Sequence, residues 1–147
     1  MARPEALTFI VIDSSVAVKW FKEETNTAEA LKLREGHIKG EFILAAPELL
    51  LYELSNALRY NPDFGSEDVA KAVEEVMELQ LRFIPLGKDW AKNTSDIAFK
   101  KALTFYDAAY LAAAKYLNAP LYTADKKILE NAKGQFVRNI ADFSVSN

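Results

Sequence analysis

Four acidic residues stand where a folding chain has little reason to place a charge. Asp13 ends the apolar run Leu7-Thr8-Phe9-Ile10-Val11-Ile12, and Glu53 interrupts the apolar side of the segment from Pro47 to Leu58. Asp107 opens the small-residue stretch Asp107-Ala108-Ala109-Tyr110-Leu111-Ala112-Ala113-Ala114, and Asp125 follows Leu121-Tyr122-Thr123-Ala124. A charge beside a core is costly unless something pairs with it. Brought together, the four would make an all-oxygen site, the donor set that Mg²⁺ and Mn²⁺ favour. Such an ion activates water and offsets charge on a phosphoryl group. Thr123, two residues before Asp125, carries a hydroxyl able to orient a water or a ligand, and Ser14 is a weaker candidate for the same task.

Helical geometry sharpens the case. At ~100° per residue, Glu53 falls on the core-facing side with Leu50, Leu54 and Ala57, and Asn56 stands beside it to orient the carboxylate. Asp107 shares a face with Tyr110, Leu111 and Ala114. Three of the acids have a plainer explanation: Asp13 and Asp125 as helix N-caps, Asp107 in a capping box with Thr104. Glu53 has no local backbone partner. A common metal explains all four at once.

The elements that must position these residues alternate along the chain. The first apolar run is continuous and predicts a parallel strand buried on both faces. Ser14 or Ser15 starts a helix to about Lys22, and Asn26 with Glu29 forms a capping box for the next, ending near Gly36 or Gly40. Phe42 to Ala45 is a strand. Pro47 suits the first position of a helix running to about Tyr60. Ser66 caps a helix to about Leu81, and Phe83 to Pro85 is a minimal strand. Helices follow from Lys88 to about Ala102 and from Phe105 to about Leu117. Strand Leu121-Tyr122, helix Lys126 to Lys133, the stop at Gly134 and a strand around Phe136-Val137 complete the order. Strands separated by helices predict an α/β chain with a mostly parallel sheet, whose ligands sit at the carboxyl ends of the strands. Asp13 and Asp125 both fall at such ends.

Composition narrows the chemistry. The 147 residues suit one domain over the whole length, 1–147, and half are apolar. With no cysteine and a single histidine, His37, disulfides, thiolate sites and histidine-rich zinc sites are out. His37 lies among lysines and glutamates and is expected at the solvated surface. The chain lacks a long apolar stretch at its start and any membrane-length run, so a cytoplasmic, membrane-free protein is expected. The net charge is −3, but without the four acids 17 carboxylates face 18 basic groups, so overall charge does not exclude nucleic acid.

The segment Val11-Ile12-Asp13-Ser14-Ser15-Val16-Ala17-Val18-Lys19-Trp20-Phe21 resembles the opening of PIN-domain proteins of the VapC toxin type. Pro47-Glu48 with Glu53 and Asn56, then Tyr106 to Ala114, then Leu121 to Asp125, are similar to the later motifs in the same order. The resemblance spans nearly the whole chain. It implies a three-layer α/β/α sandwich and a metal-dependent endoribonuclease using Mg²⁺ or Mn²⁺. It implies Asp13, Glu53, Asp107 and Asp125 as the acidic site, with Thr123 and Asn56 supporting. It also implies a homodimer and a cognate antitoxin. In-line attack by water would leave a 5′-phosphate and a 3′-hydroxyl. The rival is a PIN-like module that binds RNA or protein without cutting; a scaffold has no need of four acids. A haloacid-dehalogenase-type phosphatase would need a second Asp where Ser15 stands. A receiver domain would need an acidic pair at the first strand and an Asp after Phe42 to Ala45. Lys19, Arg59, Lys100, Lys101, Lys126 and Lys127 are candidates to track phosphates, against their reading as solvated helix charges. Trp20, Phe21 and Tyr106 are candidates for base stacking, against their reading as core.

Overall fold

The computed structural model describes residues 8–134 and 136–144. Leu7, the first residue of the expected opening strand, lies outside the described residues, as does the start of the chain. Strand β1 (Phe9–Ile12) leads into the short helix α1 (Ser14–Ala17), which tightens into a 3₁₀ turn over Val18–Trp20. Then come α2 (Thr27–Ile38), β2 (Ile43–Pro47), α3 (Leu49–Arg59), α4 (Ser66–Glu78) and β3 (Arg82–Ile84). The second half holds α5 (Lys88–Lys101), α6 (Phe105–Leu117), β4 (Leu121–Thr123), α7 (Lys126–Asn131) and β5 (Val137–Asn139). The five strands form one sheet in the order β3-β2-β1-β4-β5, every pair parallel.

From β1 the chain adds β2 and β3 on one side, then crosses back to add β4 and β5 on the other. Right-handed crossovers accordingly put the helices of the two halves on opposite faces, which makes three layers. The reversal falls between β1 and β4, and in such sheets the crevice for a ligand opens there, at the carboxyl ends. Val11, Ile12, Leu44 and Leu121 are wholly buried, as continuous apolar runs require in a two-sided sheet. Helix α6 is buried along Ala108 to Ala114, and its alanines let it lie close against β1, β2 and α5. No described helix is long and apolar enough to cross a membrane.

Several local expectations are corrected. Pro47 ends β2 instead of opening a helix: pairing with β1 stops at Ala45, so a residue without an N–H costs no bond there. Asn26 adopts φ +66°, not the extended backbone of a capping residue, and makes no side-chain cap, while Thr27 Oγ1 accepts the backbone N–H of Glu24 at 2.8 Å. Ser66 is the first helical residue rather than the cap, and the Gly65 N–H instead donates to Asp68 at 2.8 Å. On α3 the buried ridge is Leu50, Leu54 and Leu58, and Ala57 is exposed. His37 is a bridge, not a solvated surface residue. Leu44 N–H donates to its Nδ1 at 3.0 Å, which leaves Nε2 to donate to the Leu79 carbonyl at 2.6 Å. Trp20 belongs to the core, its indole N–H bonded to the Ala30 carbonyl.

Gly36 is required by packing. A Cβ there would come within 2.3 Å of the Phe42 ring. That ring is held edge-on against Phe143, which meets Tyr122 in the same way. In an open helix Gly→Ala gains about 1 kcal/mol, but overpacking costs about 1–3 kcal/mol. Gly36→Ala is therefore expected to lower the urea midpoint, and adding Phe42→Leu should restore it. A stabilised single variant would show that Phe42 has room to move.

Candidate metal centre

Asp13 follows β1 directly and is only 3 % exposed. It occupies the N-cap position of α1, yet its side chain makes no cap bond. Its carboxylate instead accepts from Ser15 Oγ at Oδ1, at 2.5 Å, and from Thr123 Oγ1 at Oδ2. Both hydroxyls are themselves gripped by backbone N–H groups. Ser15 accepts from Ala124 at 2.8 Å and Thr123 from Asp125 at 2.9 Å. Each hydroxyl thus spends its one hydrogen on Asp13 and a lone pair on the chain after β4. These four bonds tie the carboxyl ends of β1 and β4 together around one carboxylate.

Asp125 does cap its helix: Oδ1 accepts the Ile128 N–H at 2.9 Å. Asp107 is the third residue of α6, and its N–H is capped by Thr104 Oγ1 at 3.0 Å. The plainer explanations therefore hold in part for these two and fail for Asp13. Glu53, in the middle of α3, is half-buried. Its Oε1 accepts from Tyr110 Oη at 2.5 Å and lies 3.4 Å from Ser14 Oγ. Asn56 is exposed and its side chain makes no hydrogen bond among the described residues, so it does not orient Glu53. Tyr110 does, from the neighbouring helix.

The charges act on one another. Burial first, then the Asp125 charge, pushes Asp13 up to about 6 against the hydrogen bonds that favour its ionised form. Glu53 is raised by desolvation, then by Asp107 and Asp125, against the opposing hydrogen bond from Tyr110. Asp107 is raised by desolvation and by Asp125, while the Thr104 hydroxyl and Lys127 pull the other way. Burial and the Glu53 hydrogen bond hold Tyr110 far above its ordinary value, so it remains a proton donor. Asp125 thus bears on all three other acids. An oxygen-only donor set in which Asp13, Glu53 and Asp107 resist ionisation through burial and neighbouring negative charge fits a hard divalent cation, which would relieve both. Among the described residues, no three acidic, histidine or cysteine side chains already form a ligand cluster. Each acid instead faces its own hydrogen-bond donors, so sharing an ion would require side-chain rotation.

Two contributors escaped the sequence reading. Ser15 carries no sequence signal that sets it apart from Ser14, although it is the hydroxyl that reaches Asp13. Tyr110 carried a usable signal, a lone hydroxyl on an otherwise apolar face in line with Asp107. Of the expected phosphate-tracking residues, Lys19 is not available: it is buried, with Nζ on the Thr25 carbonyl at 2.7 Å and Glu24 at 3.3 Å. Arg59 lies over the Tyr60 ring at 5.4 Å. Lys126 and Lys127 are exposed at the start of α7, and Tyr106 is exposed beside Asp107.

Known proteins share the fold. The model of the PIN domain matches residues 10–134, a span that includes all four acids, and the chain belongs to the PIN-domain family. It is 32% identical over 97 residues to a protein named Exonuclease VapC9 from Pyrobaculum aerophilum, covering 66% of this chain and 73% of that one. The crystal structure of PAE2754 from the same organism superposes with a TM-score of 0.62 at 23% identity, over 92% of this chain and 93% of that one. Mycobacterium tuberculosis VapC20, described as a Sarcin-Ricin loop cleaving toxin, superposes with a TM-score of 0.65 at 16% identity, over 86% and 92%. The last two likenesses establish the fold.

The raised Asp13 has a definite consequence for stability. Its folded value of about 6 lies above the ordinary 3.8, so the cost of ionising it in the fold is complete above pH 6 and vanishes as pH falls toward 4. In EDTA the protein should gain up to about 3 kcal/mol on going from pH 7 to pH 4, from ~2 units at 1.36 kcal/mol each. Glu53 and Asp107 act in the same direction. Urea midpoints across that range should rise on acidification, and Asp13→Asn should flatten the profile. A profile that falls and is unchanged in the variant would refute the burial argument.

Proposed function

We propose that this chain is a metal-dependent endoribonuclease, the toxin component of a VapBC-type toxin–antitoxin pair. The observation that carries the proposal is the electrostatic coupling of Asp13, Glu53, Asp107 and Asp125 at the strand-order reversal of the sheet. The four carboxylates would hold Mg²⁺ or Mn²⁺. That ion, when bound, supplies an activated water and positive charge opposite a scissile phosphate. Thr123, wholly buried and bonded to Asp13, serves as a positioning residue, and Ser15 does the same from the other oxygen. Tyr110 keeps Glu53 pointed into the centre by a phenol that stays protonated. Lys127, whose charge reaches Asp107, is placed to meet a phosphate of the substrate.

Attack by water does not need the 2′-hydroxyl as nucleophile, and the chain offers only one histidine, engaged on both ring nitrogens, for metal-free cleavage. The relative's name records an exonuclease, so the endonucleolytic mode is part of the proposal. So are a cognate antitoxin and a homodimer. An apolar groove of about 490 Å³ between α3 and α4, flanked by the exposed Tyr52 and Met77, supports a protein partner on the helix that carries Glu53.

The test is degradation of a defined, internally labelled RNA with Mn²⁺, with EDTA, and with Asp13→Asn or Glu53→Gln. Cleavage should need the ion, fall at least 100-fold in either variant, and leave internal fragments with 5′-phosphate and 3′-hydroxyl ends. Cyclic phosphate products would overturn the mechanism. RNA binding without cleavage would favour a silent binding module.

A further inference from the structure

Away from the acids, a cleft of about 790 Å³ opens between α5, α6 and the stretch around β5. Its lining includes Lys100, Lys101, Lys115, Arg138, Asp96 and Phe136. Four cationic side chains meet one carboxylate there, in a chain whose net charge is −3. Lys100, Lys101 and Lys115 take part in no ion pair among the described residues. Such a concentration of positive charge against the overall balance marks a binding surface for an anion.

The cleft is joined to the acidic centre by the geometry of α6. Asp107, Leu111 and Lys115 follow at four-residue steps and so share one ridge of that helix. At 1.5 Å per residue, Leu111 lies about 6 Å and Lys115 about 12 Å along the axis from Asp107. Lys100 and Lys101 close α5 just before Thr104, the cap of the helix that carries Asp107. Asn131 Nδ2 donates to the Ala102 carbonyl at 3.1 Å and ties the end of α7 to the α5–α6 turn. Phe136, 40 % exposed, adds an aromatic face among the cations. Cations spaced along a groove with an aromatic surface are the pattern that binds a single nucleic-acid strand, phosphates on the lysines and a base against the ring.

We propose that this cleft is a subsite for the RNA strand flanking the cut, holding its phosphates on Lys100, Lys101 and Lys115 and a base on Phe136. The proposal rests on the ribonuclease reading for the identity of the strand and adds where that strand runs. A surface built only for an acidic protein segment would need no aromatic plane and no shared ridge with the acids.

The test is fluorescence anisotropy of a labelled single-stranded oligoribonucleotide of mixed sequence, titrated with the full chain in EDTA at several salt concentrations. Lys100→Glu/Lys115→Glu should weaken binding about tenfold or more and flatten the plot of log affinity against log salt by about 1.4, two phosphate contacts at ~0.7 each. Lys32→Glu/Lys71→Glu, an equal charge change on exposed residues of α2 and α4, should lose far less. Unchanged melting temperatures would exclude misfolding as the cause. Equal losses in both double variants, or none in the first, would overturn the proposal. So would displacement of the probe by a poly-glutamate peptide at concentrations where unlabelled RNA fails to displace it, which would assign the cleft to an acidic protein. Cleavage with Mn²⁺ separates the two readings. A protein that binds through the cleft without cutting keeps the subsite and loses the nuclease. One that cuts normally with both lysines reversed keeps the nuclease and loses the subsite.

Discussion

Asp13 brings an ionisable group to a point that is 3 % exposed, and the hydroxyls of Ser15 and Thr123 hold it there. A buried carboxylate is tolerated only while its oxygens are satisfied. Each hydroxyl can donate once, so each must be oriented by a backbone N–H on its other side, and both N–H groups come from the chain after β4. The polar knot therefore demands that β1 and β4 be neighbours in the sheet. They are, although more than a hundred residues separate them along the chain.

That adjacency carries the remaining acids into place. Asp125 follows β4 and is held by the start of α7, so its charge falls near Asp13. The alanines of α6 let that helix lie against β1 and β2, and Tyr110 reaches across to Glu53 on α3. The two halves of the chain thus each contribute two acids, Asp13 and Glu53 from the first, Asp107 and Asp125 from the second. The repulsion among them opposes folding and is held in check by a core of Leu, Ile, Val and Ala beneath. Groups held at such a cost are characteristic of functional centres rather than of structural ones.

The charge distribution has a matching asymmetry. Acids gather at the carboxyl edge of the sheet, and lysines line the cleft beside the α5–α6 corner. A polyanion would be repelled by the first and attracted by the second. A cation held by the acids would reverse the sign there. Net charge alone conceals this, because the two features nearly cancel in the total.

Much of the architecture was legible in the residues. Continuous apolar runs marked buried parallel strands, and the four acids stood out because each interrupted an apolar pattern. Glu53 was the most telling, since no local backbone group explains a core-facing helical glutamate. Boundaries were less legible: Pro47 could open a helix or end a strand, and only the point where β1 pairing stops decides between them. Partnerships were not legible at all. Asn56 lay beside Glu53 in sequence, but Tyr110 holds it, and Ser15 rather than Ser14 reaches Asp13. Lys19 and His37 looked solvated and are instead bound to backbone carbonyls. Residue types and local periodicity thus determined which groups are present and which face of an element each must take. Which hydroxyl meets which carboxylate depends on the order of strands and the approach of helices, and those are set by how the whole core packs.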